Sequence, residues 1–340
     1  MEARSKTLRK HGNVITERSL MKIVDVENLQ KNYTVYQRKG LLREKRIIRA
    51  LQNISFTVNR GEFLGYIGPN GAGKSTTIKI LTGIMTPDGG SAIVDGMVPY
   101  RERKRYVRKI GVVFGQKTQL WWDLPVRDTY TLLKAIYGVP ESRFKEQINY
   151  LSDHLELEEI MDRPVRQLSL GQRMRAELAA ALVHDPELLF LDEPTIGLDI
   201  VSKHRVLQFL RELHSRGKTI FLTTHDLKDI EALCQEILII NHGSLVYKGT
   251  LEGLKVMVKL PRVLRIQLRE GAFSLDGRGA EFIERYAARY DPKIGIIDVE
   301  LSGAFRPANV AREFMQVMEI EDFRITDPSI EDVVRIIYRK

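Results

Sequence analysis

From residue 21 onward the chain alternates between two hydrophobic rhythms. Short apolar runs recur at 51–58, Phe63–Ile67, Ile110–Phe114, 188–191, Thr219–Thr223 and 237–240. Runs of this length between turn formers predict strands, and unbroken ones predict strands covered on both faces. The segment MKIVDVENL, opening at Met21, alternates as a further strand. Between these lie stretches with helical spacing of apolar residues, predicting helices over 74–85, Val126–Tyr137, 171–184 and 202–215. Strands and helices in turn predict an α/β layered domain over 21–250, closed by a hairpin turn at Asn241-His242-Gly243.

Beyond residue 260 the rhythm changes. Strands are predicted over 263–268, 294–301 and 323–325, with helices over 280–290 and 308–318. A last helix is expected to run to Tyr338, with Asp327 as N-cap and Pro328 at its first position. No catalytic cluster falls here, so 260–340 reads as a small α+β accessory domain of the ferredoxin-like kind, regulatory or supporting a dimer. Residues 1–20 read as a polar, basic leader without the apolar stretch of a secretory signal, leaving Met1 and Met21 as alternative starts. No apolar run approaches the roughly 20 residues of a membrane-spanning helix, so a soluble, cytosolic chain is expected.

Composition narrows this further. A hydrophobic fraction of 43% in 340 residues supports a sizeable core and excludes a disordered chain. The single cysteine, Cys234, excludes an internal disulfide framework and a multi-cysteine metal cluster. With 53 basic and 44 acidic residues the net charge is +9, much of it in two clusters, 37–49 and 101–109. Alone, such clusters more often mark a solvated face than a surface for nucleic acid or anionic lipid.

The chemistry begins at Gly68-Pro69-Asn70-Gly71-Ala72-Gly73-Lys74-Ser75, followed by Thr76. A predicted strand precedes this glycine-rich loop and a predicted helix opens at Lys74. Glycines let the backbone wrap phosphates, Lys74 reaches the β and γ phosphates, and Ser75 offers a hydroxyl to Mg²⁺. The apolar run 188–191 ends in Asp192-Glu193, placing Asp192 for the Mg²⁺ shell and Glu193 to polarise a water. Between these halves, Leu168-Ser169-Leu170-Gly171-Gln172 precedes a helix with Ser169 as a plausible N-cap. That segment alone fits a capped helix as well as a second anion site.

The order of these elements resembles the ATP-binding subunit of ABC transporters over roughly residues 23–249. Gly68–Thr76 is similar to Walker A, 188–192 to Walker B, 168–172 to the LSGGQ signature, and Thr195-Ile196-Gly197-Leu198-Asp199 to the D-loop. Thr223-Thr224-His225-Asp226 is similar to the switch-histidine loop, and Gln116 holds the Q-loop position, with Gln119 as substitute. The resemblance implies a P-loop ATPase fold with a helical region at about 117–170, ATP and Mg²⁺ as cofactors, and ATP hydrolysis. It implies Glu193 as general base, His225 at the γ-phosphate, and Ser75, Gln116 and Asp192 around Mg²⁺. Ser169, Gly171, Gln172 and Asp199 would serve the partner's nucleotide across a homodimer. Tyr33 would stack on adenine, with Tyr36 as rival.

Two departures stand out: Leu170 replaces the usual third-position glycine, and a basic insertion separates Tyr33 from Lys74. Separate integral membrane permeases are implied as partners, at the cytoplasmic face of the membrane, and the resemblance is to bacterial multidrug and antibiotic-resistance exporters. The alternatives are the ATPase subunit of an importer and an ABC-type ATPase that regulates another membrane process. A nucleic-acid partner is not expected: Ser169 follows Lys74 by 95 positions, too few for the long coiled-coil insertion of DNA-repair relatives, and there is one cassette where translation factors carry two.

Overall fold

The computed structural model describes residues 8–10, 13–15, 22–39, 42–115, 117–258, 260–269, 277–301 and 306–339. The chain divides into two compact units, Met1–Leu251 and Glu252–Lys340. The first opens with a small hairpin of β1 (Leu8–Lys10) and β2 (Asn13–Ile15). Two long strands follow, β3 (Lys22–Lys39) and β4 (Leu42–Asn59), then β5 (Phe63–Ile67), α1 (Lys74–Leu81), β6 (Gly89–Val94), α2 (Arg103–Tyr106) and β7 (Ile110–Phe114). Helices α3 (Val126–Tyr137), α4 (Glu141–Leu155) and α5 (Leu170–Leu182) lead to β8 (Leu188–Asp192), α6 (Ile200–Ser215), β9 (Thr219–Thr223), α7 (Leu227–Leu233), β10 (Glu236–Asn241) and β11 (Ser244–Thr250).

Two sheets result. Strands β10, β5, β9, β8 and β7 run parallel in that order, with β11 antiparallel on the β10 edge. Strands β4, β3 and β6 form an antiparallel sheet. A single buried cluster joins both: Val24, Leu29, Ile54 and Phe56 from one sheet meet Tyr66, Phe190, Phe221 and Leu238 from the other, with Ile78 and Leu81 of α1 among them. The continuous apolar runs are the central parallel strands, as burial on both faces requires.

Within the basic insertion 38–49, residues 38–39 and 42–49 belong to two paired strands that form a ribbon. Beyond Gln30, β3 pairs among the described residues only with β4, and the two remain in register from Tyr33↔Ile48 to Lys39↔Leu42. With no layer packed on it, the ribbon exposes Val35, Tyr36, Ile47 and Ile48. Part of the other basic cluster is spent locally, since Lys109 pairs with Asp95.

The second unit begins in α8 (Leu251–Val258) and continues β12 (Arg262–Leu268), α9 (Gly277–Arg285), β13 (Arg289–Asp291), β14 (Ile296–Leu301), α10 (Pro307–Met315), β15 (Ile320–Thr326) and α11 (Ile330–Arg339). The sheet order β13-β14-β12-β15, antiparallel throughout, is the ferredoxin-like βαββαβ arrangement. Its core gathers Leu264, Ile266, Ile297 and Val299 against Val310 and Phe314. Two local expectations need correction. The helix predicted over 280–290 stops at Arg285, and Arg289–Asp291 pairs as an edge strand. The last helix begins at Ile330, not Pro328, because the Ser329 hydroxyl accepts the Asp332 N–H (3.2 Å) and so caps it in place of Asp327. Among the described residues no helix is long and apolar enough to cross a membrane.

One partly buried histidine gives the first unit a predictable acid sensitivity. His184 stacks on Tyr137 with ring centroids 3.9 Å apart, and its Nε2–H donates to the Ile110 carbonyl (3.0 Å). Burial pushes its pKa down from 6.5 to about 4. The folded state thus holds the ring neutral, and its contribution to stability is complete above pH 6.5 and lost as the pH falls towards 4. That contribution is about 3 kcal/mol at most. Urea midpoints of His184→Gln should therefore fall less steeply than the parent's across that range; parallel curves would mean that water already reaches the ring.

Candidate nucleotide site

Strand β5 is buried along its whole length and delivers the glycine-rich loop at its carboxyl end. Gly73 takes φ +114°, and a Cβ there would lie 2.6 Å from the Ala50 carbonyl oxygen, so the tight approach to β4 needs glycine. The Gly243 N–H donates to the Ala72 carbonyl (3.0 Å), tying the loop to the β10–β11 turn. Lys74 follows as the first residue of α1, only 6% exposed, with Nζ donating to the carbonyls of Gly68 (2.6 Å) and Pro69 (3.2 Å). Burial lowers its pKa, opposed by the negative charges of Glu193 and Asp192.

Strand β8 ends on Asp192, paired in register with Thr223 at the end of β9. The buried Thr223 hydroxyl donates to Asp192 Oδ1 (2.5 Å), and the Thr223 carbonyl accepts the Glu193 N–H (3.0 Å). Glu193 has φ +54°, so the backbone leaves the extended strand conformation directly after Asp192. Its Oε2 lies 3.2 Å from Nδ1 of the exposed His225. The sequence places Thr223 in the switch-histidine loop without a role; its place opposite Asp192 on a neighbouring parallel strand supplies one.

These groups face one cavity of about 1100 Å³. Pro69, Asn70, Gly71, Gly73, Lys74, Ser75 and Thr76 line it, as do Asp192, Glu193 and His225. Gly68 and Ala72 belong to the loop but not to its lining. Tyr33 lines it too, its hydroxyl 3.3 Å from Thr76 Oγ1 and 3.2 Å from Met85 Sδ, whereas Tyr36 is 63% exposed and lies outside it. The ribbon contributes Arg46 to Ala50, and Phe114, Gly115 and Lys117 form another wall. Neither group was anticipated as lining. Gln116 lies outside the described residues. Its proposed substitute, Gln119, points elsewhere, its amide donating to the Glu177 carbonyl (3.2 Å).

The remaining expected site residues gather outside this cavity, at the N-termini of α5 and α6. Ser169 caps α5: its hydroxyl accepts the Gln172 N–H (3.2 Å), and Gln172 Oε1 accepts the Ser169 N–H (3.0 Å). Asp199 caps α6, accepting the N–H groups of Val201 and Ser202 and the Ser202 hydroxyl, and these bonds hold its carboxyl below the usual range. A Cβ on Gly171 would come 2.3 Å from Ser202 Oγ, so the two helix ends interlock. Leu170 turns towards Gly197, its Cδ2 3.0 Å from where a Cβ would stand.

A second network, centred on the buried Asp229, ties the elements beyond Glu193. Lys203 Nζ donates to Asp226 and to Asp229 (2.8 Å), and the Thr195 hydroxyl donates to Asp229 (2.8 Å). Burial would lower Lys203's pKa, but its bonds to the two aspartates outweigh that and hold it raised.

The phosphate loop, its buried lysine and the Asp192–Glu193–His225 group on adjoining parallel strands define a P-loop ATPase of the ATP-binding-cassette class. Comparison with known proteins agrees. Residues 51–196 match the family model described as ABC transporter. The chain is 33% identical over 211 residues to the ABC transporter ATP-binding protein NatA of Bacillus subtilis (strain 168), covering 62% of this chain and 86% of that protein. It is 36% identical over 227 residues to the Nod factor export ATP-binding protein I of Ralstonia nicotianae, covering 67% of each. Among solved structures, a dimeric post-hydrolysis ATP-binding cassette bound to ADP and Pi superposes with a TM-score of 0.58 at 27% identity, covering 67% of this chain and 98% of that one. The chain therefore belongs to the ABC transporter family. It is an ATP-binding, ATP-hydrolysing subunit of the kind that works with membrane permeases.

Proposed function

We propose that this chain is the ATPase of an exporter whose permeases are separate polypeptides, acting as a homodimer at the cytoplasmic face of the membrane. One observation carries the reading: Lys74, Ser75, Asp192, Glu193 and His225 share a cavity, while Ser169, Gly171, Gln172 and Asp199 cluster outside it. A helix N-terminus suits phosphate, and a second copy can bring that cluster to the first copy's cavity. That the relative bound to ADP and Pi is dimeric supports this, and the Nod factor export relative supports export over import.

In this reading Lys74 neutralises the β and γ phosphates. Ser75 and Asp192 are oxygen donors, one Asp192 oxygen being held by Thr223, and few oxygens plus substrate phosphates suit magnesium. Gln116 completes that set. When bound, the ion supplies neutralisation of phosphate charge. Glu193 accepts the proton of the attacking water, and His225 orients that carboxylate and meets the γ-phosphate. Catalysis of this kind is positioning plus electrostatic stabilisation. The 260–340 region supports or regulates the dimer, and the ribbon's cations suit the anionic membrane surface beside a docked permease.

The direct test is reconstitution with its permease subunits. ATP added outside inside-out vesicles should drive solute inward; transport only in the opposite sense would establish import. The same system tests the docking surface. Trp121 and Trp122 are 40% and 49% exposed. Trp122→Ala should leave basal hydrolysis near the parent's and weaken permease binding by about 2 kcal/mol, a typical loss for a buried aromatic anchor. Full permease binding by that variant would move the docking surface elsewhere.

A further inference from the structure

Helix α5 is buried over most of its length, and one of its buried side chains is acidic. Glu177 is 3% exposed, and burial pushes its carboxyl pKa up against the hydrogen bonds that stabilise the charge. Those bonds come from one short segment. The Thr118 hydroxyl and the Gln119 N–H (3.2 Å to each oxygen) donate to the carboxylate. Thr118 Oγ1 in turn accepts the Leu120 N–H (3.1 Å), and the Gln119 amide returns to the Glu177 carbonyl. Next along α5, the Ala176 carbonyl accepts the Tyr130 hydroxyl of α3 (3.1 Å).

The fastened residues stand between two surfaces. Phe114, Gly115 and Lys117 line the nucleotide cavity, and Trp121 and Trp122 are half-exposed a few residues later. Helix α5 itself opens on the capped Ser169–Gln172 turn. A buried carboxylate is expensive to keep, and an apolar side chain of similar size would often be no less stable. Segment 118–120 gains from it what an apolar contact does not give, a directional tie to one turn of one helix.

We propose that Glu177 is a positioning residue whose carboxylate locks residues 118–120 to α5, so that the signature helix and the tryptophan pair move as one body. The lock itself is independent of the proposed transport reading, which enters only through the nucleotide used to probe it.

The chain's two tryptophans are neighbours, so emission excited selectively in tryptophan, apart from the twelve tyrosines, reports this segment alone. In the full chain, iodide quenching of that emission should rise in Glu177→Leu and Thr118→Val, and the change in quenching produced by Mg-ATP in the parent should be lost. ATP affinity by calorimetry should stay at the parent's value, and Glu177→Leu should unfold no earlier, which separates a lock from a core-packing role. Thr118→Val removes only the donor and covers the case in which the helix variant fails to fold. Parent-like quenching and a full ATP response in both variants would overturn the proposal, as would a parent that binds ATP with no change in emission. A parent that binds no ATP would count against the nucleotide site alone, and the ligand-free quenching comparison would still decide the lock.

Discussion

Glu193→Gln should stop steady-state ATP hydrolysis while leaving ATP binding at the parent's level. The substitution keeps size and shape, and an amide oxygen can still meet His225 across the 3.2 Å contact. What disappears is the ability to take a proton. A positioned general base contributes about 10²- to 10⁴-fold, so the rate should fall at least a hundred-fold. Lys74, Ser75 and Asp192 are untouched, and Thr223 still holds the Glu193 backbone, so the phosphate cradle keeps its geometry. ATP should therefore bind and persist. If ATP bridges two copies, the variant should elute as a dimer in gel filtration with ATP and magnesium and as a monomer with ADP. Hydrolysis at the parent's rate would remove Glu193 from the base role and direct attention to His225.

How much of this was readable beforehand depends on what each stretch of sequence has to satisfy. Strands Phe63–Ile67, Ile110–Phe114 and Thr219–Thr223 have the predicted ends, because an unbroken apolar run bounded by polar residues has few ways to be buried. The phosphate loop was legible for a related reason: its glycines and lysine meet a local demand between one strand and one helix. The ribbon was not. Its partner is its own return strand, and its charges read as a solvated face rather than as a strand. The reading also passed over helix α4, most of whose residues are polar or charged, and strand β6, which opens on two glycines that usually signal a turn.

In the site, the limit lies in sequence distance. The Ser169 cap was legible because its partner is three residues away. Glu177 in AELAAAL reads as one polar position on a helix; its partners are 58 and 59 residues upstream, and no spacing rule connects them. Thr223 and Asp192, 31 residues apart, are brought together only by strand register. The motif order does connect the P-loop, the acidic strand end and the histidine, and the cavity holds all three. The same order says nothing about which motifs share a cavity within one chain. The helix-end cluster of Ser169, Gly171 and Asp199 could be located only once α5 and α6 had been placed.

The second large effect is expected from Lys203→Met. Asp229 is 1% exposed, and its partners are the Lys203 ammonium and the Thr195 hydroxyl. Taking away the cation leaves a buried carboxylate with one neutral donor, the situation in which breaking a buried pair costs about 3–5 kcal/mol. Thermal or urea unfolding should show a loss of that order. The functional consequence follows from what the pair connects. Thr195 stands two residues after Glu193, and Asp226 directly follows His225 and caps α7 through the Lys228 N–H (3.0 Å). Lys203 thus joins the two chain segments that carry the Glu193–His225 contact, and without it the rate should fall although no group facing the cavity has changed. The double variant Lys203→Met/Asp229→Leu separates the two effects. Removing both charges relieves the buried carboxylate, so most of the stability should return. The tie between Thr195 and Asp226 stays absent, so hydrolysis should remain low in the refolded, ATP-binding protein. Recovery of stability and rate together would reduce the network to a packing element. A single variant as stable as the parent would show that water already compensates Asp229.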